Sequence, residues 1–345
     1  VSASQALALE LEMDQFDAVE NPAAFPETYD EVKRLVAEKQ EVLDDLKASA
    51  QLPHFFIDRN YDDGIYTSFE SYAELKMAQK VLLVRAQIRA REGEVDLALE
   101  DLDDSFAMAS HITADPALIS QLVAIALDSV ANRMAQYIAF SLQGDPESLK
   151  KLELVLDGQE LEFNFRQAAH LEFYAALVTT RNLKHMGGLW KFLKSDMFET
   201  PPQPPASLVV KSGLPSGQVE RASMAFVAEI YTGFIKELNS AGDNPDKALD
   251  WLESKISSID ENKISNKFAR KMIMPIGMYR SSIKRSEAYR KLAVCYAAAL
   301  HHRVANGSFP SSLEELGHDV ADPMGQGVNL RYAISGDGFK IWSVG

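Results

Sequence analysis

The sequence predicts a mainly α-helical fold of antiparallel helical hairpins that ends in a small helix and β-hairpin module. Apolar residues recur at helical spacing through most of the first 300 residues, which is typical of amphipathic helices. Near the C-terminus, apolar and polar residues instead alternate on both sides of a Gly-Asp-Gly sequence, as in a hairpin. Hydrophobic residues make up 46% of the chain and charged residues 25%, which indicates an ordinary globular protein.

This change of pattern predicts two parts, a helical body over residues 1–280 and a helix and β-hairpin module over residues 281–345. Five of the 14 prolines lie between residues 199 and 218, and they predict a loop within the body because proline breaks helices. The alternative is one continuous domain in which the β-hairpin forms a lid.

The first predicted helical region begins at Thr28, which forms a capping-box pattern with Glu31. Apolar residues then continue on one helix face as far as Leu46. The following aromatic and acidic segment, residues 52–68, contains an Asp-Asp-Gly sequence that predicts a turn.

A pair of helices is predicted over residues 69–91 and 95–111, because Gly93 separates two runs of helical periodicity. The next two helices are predicted to begin around Pro116 and Pro146, since proline is well placed in the first turn of a helix.

The apolar run Ile119–Leu142 is interrupted by Asp128 and Arg133, so it indicates a buried helix rather than a membrane span. Further helices are predicted over residues 161–184, 219–239, 245–259 and 286–305.

In the tail, Ser312 and Glu315 form a second capping pattern on a short helix. Two strands are predicted over residues 328–335 and 339–344, with the Gly-Asp-Gly turn at residues 336–338 between them.

Residues 82–109 resemble a tetratricopeptide unit, since Ala86, Gly93, Ala98 and Leu102 match its small and large positions. The turns at residues 93, 144 and 242 are separated by 51 and 98 residues, which does not fit a period of 34. The fold is therefore predicted to be tetratricopeptide-like in part, and ordinary antiparallel hairpins are the alternative.

The net charge of −15, from 35 basic and 50 acidic residues, argues against nucleic acid as a partner, because most of such a surface repels phosphates. Common catalytic and nucleotide-binding motifs such as HExxH, GxGxxG and the Walker A loop are missing from the sequence. Two SxxK matches, at Ser281 and Ser148, lack the companion motifs of that chemistry. We therefore predict no catalytic, cofactor or metal site.

The histidines and the cysteine are interpreted as structural. The adjacent His301 and His302 diverge on a helix, and a single ExxH motif, Glu315 to His318, is not the paired motif of a di-iron bundle. His170, near Glu172, is interpreted as a core or interface histidine. Cys295, the only cysteine, is predicted to be a buried, inert thiol.

One segment is strongly basic. Between residues 262 and 291 there are nine Lys and Arg but only one acid, Glu287, so the remainder of the chain carries −23. This asymmetry predicts a docking face for an acidic partner or an anionic membrane surface. Its candidate residues are Lys263, Lys267, Arg270, Lys271, Arg280, Lys284 and Arg285. The alternative is internal pairing with acidic helices such as residues 94–104.

The tail resembles the C-terminal half of the major pseudopilin of type II secretion. The resemblance rests on NGSFPSSLEEL from Asn306, on Asp-Pro-Met-Gly from Asp322, and on GDGFKIWSVG from Gly336. In that family a calcium site lies near the C-terminus, and only Asp322 and Asp337 match it in kind, so no metal is assigned. The long body replaces the apolar filament helix of that family, so filament assembly is not implied.

Residues 52–64 and 115–123, together with the tail, resemble a family of uncharacterised planctomycete and verrucomicrobial proteins. Members of that family usually carry an N-terminal membrane anchor before a helical body. The resemblance implies an extracytoplasmic protein of the periplasm or envelope, anchored through a segment absent from this chain, which begins at Val1. It implies no activity.

We therefore predict a non-enzymatic scaffold or protein-interaction module of the bacterial cell envelope, with a protein partner. The alternative is a small-ligand-binding protein or enzyme whose pocket is lined by the aromatic helix 161–184. That helix contains Phe163, Phe165, His170, Phe173 and Tyr174.

Overall fold

A computed structural model describes residues 23–52, 57–159, 161–182, 216–242, 245–260 and 264–345. For residues 216–220, 264–269, 271, 272 and 274–278 the structure describes the backbone alone. Within the described ranges the protein is mainly helical and ends in a two-stranded antiparallel sheet, which confirms the predicted fold class. No helix in these ranges combines the length and apolar character needed to cross a bilayer.

The first half of the described chain contains six α-helices and one 3₁₀-helix, Tyr61–Tyr66. The α-helices are α1 (Pro26–Glu38), α2 (Gln40–Ala50), α3 (Ser71–Glu92), α4 (Val95–Ile112), α5 (Leu118–Ser141) and α6 (Pro146–Asp157).

The second half of the described chain contains four α-helices, a 3₁₀-helix and the hairpin. They are α7 (Phe165–Asn182), α8 (Ser216–Ala241), α9 (Asp246–Ser257), α10 (Ile264–Asn306), the 3₁₀-helix Leu313–Leu316, β1 (Arg331–Ser335) and β2 (Gly338–Trp342).

The capping box predicted at Thr28 is wrong, because α1 already begins at Pro26 and its N-cap, Phe25, makes no side-chain cap. The first residue of a helix has no partner for its N–H within the helix, so proline loses no hydrogen bond at this position. Pro26 therefore favours a helix that begins there. The single helical region predicted as far as Leu46 is divided in two at Lys39, which lies between α1 and α2.

The predicted hairpin around Gly93 is confirmed as α3 and α4. Gly93 has φ 84, and the Glu94 amide donates to the Arg89 carbonyl at 2.9 Å, which closes the end of α3. The Arg85 guanidinium then binds both oxygens of the buried Asp101 across the hairpin, at 2.9 and 2.8 Å. This bidentate pair fixes the packing of the two helices.

The helix start predicted at Pro146 is confirmed, whereas the one predicted at Pro116 is wrong by two residues. Asp145 caps α6, since its carboxylate accepts from the Glu147 and Ser148 amides, and Pro146 is the first helical residue. Helix α5 begins only at Leu118, because the Asp115 carboxylate forms a turn by accepting from the Ala117 amide at 3.1 Å.

Helix α10 runs without interruption for 43 residues, or about 65 Å. The separate helix predicted over residues 286–305 is therefore wrong, because that stretch is the C-terminal part of α10. The domain boundary predicted near residue 281 lies inside this helix. The predicted loop of residues 199–218 lies outside the described residues except for its last three, which belong to α8.

The described core consists of several hydrophobic clusters, and α10 contributes to three of them. Ile273 and Tyr279 pack with α7, α8 and α9. Farther along, Ala293 and Ala297 pack with α3 to α6, and Cys295 packs against the residues that precede the hairpin. Helix α10 therefore joins the helical body to the C-terminal module.

The C-terminal hairpin pairs Ser335 with Gly338, so its turn consists of Gly336 and Asp337. Gly336 has φ 58, a backbone conformation that glycine adopts without strain. Phe339 of β2 lies 5.1 Å from the Tyr296 ring of α10, which attaches the hairpin to the helix. The capping pattern predicted at Ser312 is shifted by one residue, because Ser311 donates to Glu315 instead.

Candidate functional site

The first candidate is the basic segment, most of which lies in α10. Arg280 pairs with the acidic helix α9, where it contacts Asp250 and lies 3.4 Å from Asp246 and 3.9 Å from Glu253. Arg280 is therefore matched internally, although its partners are in α9 and not in residues 94–104.

Lys284 and Arg285 differ from Arg280. Lys284 is half-buried and Arg285 is exposed, and within the described ranges neither side chain makes a hydrogen bond or an ion pair. Tyr289 lies one helical turn after Arg285 and is 37% exposed. These three residues, named here the α10 surface, form the described part of the predicted docking face.

The structure does not show an unpaired charge at the other predicted cations of the docking face. Arg270 is half-buried and makes an interaction of its own. Lys263 and the side chains of Lys267 and Lys271 lie outside the described residues.

Two further basic side chains, at the end of this segment, make contacts that hold neighbouring elements together. Arg290 donates to the Gln159 carbonyl at 2.7 Å, and Lys291 binds Asp319 at 2.7 Å and Glu287 at 3.3 Å. They connect α10 to the end of α6 and to the C-terminal module.

The aromatic helix predicted to line a pocket uses its rings in the core. Phe165 stacks on Tyr279 at 4.5 Å and Phe173 stacks on Tyr231 at 5.3 Å. Tyr174 is 42% exposed, and His170 is also exposed. Of the two interpretations of His170, a core residue is therefore wrong, while an interface residue stays a prediction. Packing of the Phe165 and Phe173 rings against neighbouring helices, rather than around a ligand, accounts for this cluster.

A second candidate, missed by the sequence analysis, is a cavity of about 230 Å³ between α4, α5 and the connection from α6 to α7. Its lining includes Asp103, Phe106, Ala107, Asp128, Gln159 and Leu161. We name it the Asp128 cavity. The signal for it in the sequence is the single acid in the apolar run of α5.

Asp128 is only 6% exposed. Its Oδ2 accepts from the Ser286 hydroxyl at 2.5 Å and from the Asn132 amide at 3.0 Å. Its Oδ1 accepts no hydrogen bond from the described residues. Burial raises the pKa of Asp128, although the bond from Ser286 and the charge of Arg290 act in the opposite direction.

A third polar cluster, the Glu153 cluster, surrounds the buried Glu153 of α6. Glu153 accepts from His301 at 2.7 Å and from Lys150 at 3.1 Å, and it lies 3.8 Å from His318. His318 also lies 3.6 Å from Asp157. Contact with Glu153 raises the pKa of His318. This cluster attaches the C-terminal module to α6.

Asp322 of the tail and the SxxK match at Ser148 have structural partners. Asp322 accepts from the Met324 amide, the Ser343 hydroxyl and the Val344 amide at 2.8–2.9 Å, so it closes the Asp-Pro-Met-Gly turn. Ser148 donates to Asp145 within the cap of α6, and Lys151 binds Asp96.

Cys295 is fully buried, as predicted, and burial raises the pKa of its thiol to about 12. His302 contacts the Ser308 carbonyl while His301 contacts Glu153, so the predicted divergence of the two rings is confirmed. Across the residues that the structure covers, no group of three or more His, Cys, Asp and Glu could hold a metal ion.

Comparisons with protein-family models, with curated proteins and with solved structures find no match to this chain. The resemblances to the pseudopilin tail and to the planctomycete and verrucomicrobial proteins therefore stay predictions, which rest on the residues quoted above.

Proposed function

We propose that the protein is a non-enzymatic scaffold that docks an acidic segment of a partner protein on the α10 surface. The observation that carries the proposal is the pair Lys284 and Arg285, which have no anionic partner in the described structure, although Arg280 a turn earlier has three. A protein of net charge −15 that leaves these cations unpaired presents a local attraction for anions.

The exposed Tyr289 favours a protein as the partner. Tyrosine and arginine are enriched at the centres of protein interfaces, where the ring supplies contact area and the guanidinium binds carboxylates bidentately. The proposal extends the surface to Lys263, Lys267, Arg270 and Lys271, on the basis of their position in the same basic segment.

An envelope location belongs to the same proposal. It is supported by the resemblance of the tail, from Asn306 to Gly345, to a pseudopilin segment and by the second resemblance noted above. In this proposal an anchored scaffold would present the α10 surface to a neighbouring envelope protein.

Binding of a fluorescent glutamate-rich peptide tests the charge requirement by anisotropy. The double variant Lys284→Glu/Arg285→Glu should bind at least about tenfold more weakly, and the binding should weaken with added salt. The matched control Lys76→Glu/Lys340→Glu makes the same change of charge at exposed lysines of α3 and β2. Equal loss of binding in both double variants would show a general charge effect and would contradict the proposed site.

Vesicles with anionic lipid form the second arm of this test. The proposal predicts that they bind the wild type no better than neutral vesicles do. Binding to anionic vesicles that depends on Lys284 and Arg285 would show that the surface recognises a membrane, and the proposal of a protein partner would fail.

A further inference from the structure

The Asp128 cavity is lined by a buried carboxylate that the packing of the helices does not require. A carboxylate in the middle of an apolar helix is costly to bury unless its oxygens are hydrogen-bonded. Asp128 has its two hydrogen bonds on Oδ2, while Oδ1 receives none from the described residues. Asp128, a residue that is 94% buried, therefore lines the cavity with one carboxylate oxygen that receives no hydrogen bond from the described residues.

The other walls define the chemistry that fits. Phe106, Ala107 and Leu161 supply apolar surface, while Asp103 adds a second carboxylate, held by the Gln159 amide at 2.8 Å. None of the described residues of the lining is a lysine, an arginine or a histidine. An anionic ligand would be repelled by such a site, and a neutral ligand would leave the carboxylate without compensation.

The geometry points to a binding site for a small primary alkylammonium, with its charged nitrogen on Asp128 and its alkyl chain against Phe106 and Leu161. The cavity volume of 230 Å³ limits the ligand to about seven water-sized groups, as one water occupies about 30 Å³ in the liquid. An amine of four or five carbons is within this limit.

The electrostatics of Asp128 agree with this assignment. Burial raises the pKa of the Asp128 carboxyl by more than the hydrogen bond from Ser286 and the charge of Arg290 lower it, so these two groups only partly compensate the buried charge. Arg290 instead donates to the Gln159 carbonyl at 2.7 Å. A bound ammonium would supply the opposite charge that the site lacks.

Calorimetric titration with n-butylamine, which is an ammonium ion at pH 7, tests the proposal. The wild type should bind one equivalent saturably, and n-butanol, which has similar size but no charge, should bind at least about tenfold more weakly. Asp128→Asn should weaken n-butylamine binding by at least about tenfold. The control Asp337→Asn makes the same charge change in the exposed hairpin turn and should leave binding unchanged.

A second variant keeps the test decisive if Asp128→Asn does not fold. Ala107→Leu leaves every charge in place but fills part of the cavity, so it should also abolish binding. Equal affinity for n-butanol and n-butylamine, unchanged affinity in Ala107→Leu, or the absence of saturable binding to the wild type would each overturn the proposal. Lys284 and Arg285 are not among the residues that line the cavity, so Lys284→Glu/Arg285→Glu should still bind n-butylamine saturably.

Discussion

At the scale of single residues, Asp115 shows how a buried charge holds a connection in place. Its carboxylate accepts from Tyr61 and Tyr72 at 2.7 Å and from Arg59 at 2.9 Å. The Arg59 guanidinium also lies 4.5 Å from the centres of the Phe69 and Tyr72 rings. The described part of the aromatic and acidic segment is thereby fixed to the corner between α4 and α5.

Asp115→Asn should lower the free energy of unfolding by about 3–5 kcal/mol, because it leaves the buried Arg59 without its charged partner. Urea unfolding at pH 7 measures this change. Tyr61→Phe, which removes one neutral donor, is the matched control and should cost about 1 kcal/mol. Equal effects of the two variants would mean that the ion pair contributes nothing beyond a hydrogen bond.

The same residue gives a dependence on pH. Burial acts to raise the pKa of Asp115, but hydrogen bonds from Tyr72, Tyr61, the Ala117 amide and Arg59 lower it below the ordinary value of 3.8. Its stabilising contribution is therefore present above about pH 4 and is lost as the pH falls through the lowered pKa.

Glu172 of α7 provides the opposite case. It accepts from the Leu118 amide at the start of α5, at 3.3 Å, but removal from water raises its pKa to about 7. The unfolded chain ionises near pH 4.5, so the folded state loses stability as the pH rises from 4.5 to 7.

Glu172→Gln should therefore stabilise the protein at pH 8, by about 1–3 kcal/mol, and should have little effect at pH 4.5. The amide oxygen of Gln retains the ability to accept from Leu118. Urea unfolding at the two pH values measures the difference, with Glu162→Gln at an exposed position as the control. Destabilisation at pH 8 would show that the ionised carboxylate is needed to cap α5.

At the scale of elements, Gly64 determines how the first 3₁₀-helix packs on α7. Gly64 has φ 63 and ψ −129, and a Cβ atom there would lie 2.5 Å from the Thr179 hydroxyl. The Thr179 hydroxyl also accepts from the Ile65 amide at 3.0 Å, so the backbone must approach this closely.

Gly64→Ala should destabilise the protein by about 2 kcal/mol or more, since it adds a clash to the strain of the backbone. Gly93→Ala is the control, because Gly93 also has positive φ but has open space around it, and it should cost about 1 kcal/mol. Thermal unfolding of both variants compares them. A smaller effect at Gly64 than at Gly93 would contradict the close packing.

The Glu153 cluster predicts that attachment of the C-terminal module depends on pH. Contact with Glu153 and the charge of Asp157 raise the pKa of His318 above 6.5. Its contribution to stability is therefore complete below about pH 6.5 and is lost as the pH rises through the raised pKa.

His318→Gln should speed hydrogen exchange in residues 313–342 at pH 6 and should have little effect at pH 9, after correction for intrinsic rates. The loss at pH 6 should be about 1 kcal/mol, as expected for a partly exposed charged contact. His302→Gln serves as control, because the His302 ring contacts the Ser308 carbonyl and makes no described contact with Glu153 or Asp157. Equal effects of the two variants would exclude this role for His318.

The elements that could be predicted from the sequence are those with strong local signals. Local backbone preferences act at Gly93, at Pro146 and at the Gly336-Asp337 turn. The two hairpins and the helix start at these positions could therefore be predicted closely. The continuity of α10 could not be predicted from its local pattern, because Pro275 and Gly277 favour a break.

The sites were less predictable because they depend on contacts between distant residues. The pairing of Arg280 with α9 joins positions 30 residues apart, and Ser286 reaches Asp128 across 158 residues. The basic segment could be recognised in the sequence as a run of charge. The packing of α9 against α10, which pairs Arg280, could not be predicted from that run. The isolated Asp128 indicated an interruption of an apolar helix, without indicating a cavity.

At the scale of the whole molecule, α10 both packs in the hydrophobic core and carries the proposed docking surface. The helix packs in three hydrophobic clusters, so its backbone is held along much of its length. Lys284 and Arg285 lie between the contacts of Tyr279 and those of Ala293. A surface on a helix supported at both ends is pre-organised, which lowers the entropic cost of binding.

The most direct test of the central claim is photo-crosslinking from position 289, with p-benzoylphenylalanine in place of Tyr289, in the native cells. We expect a cross-link to one protein through an acidic peptide. This cross-link should be lost in the Lys284→Glu/Arg285→Glu background and absent when the probe is at Lys76. A cross-link that persists after charge reversal, or one to a segment without acidic residues, would contradict it.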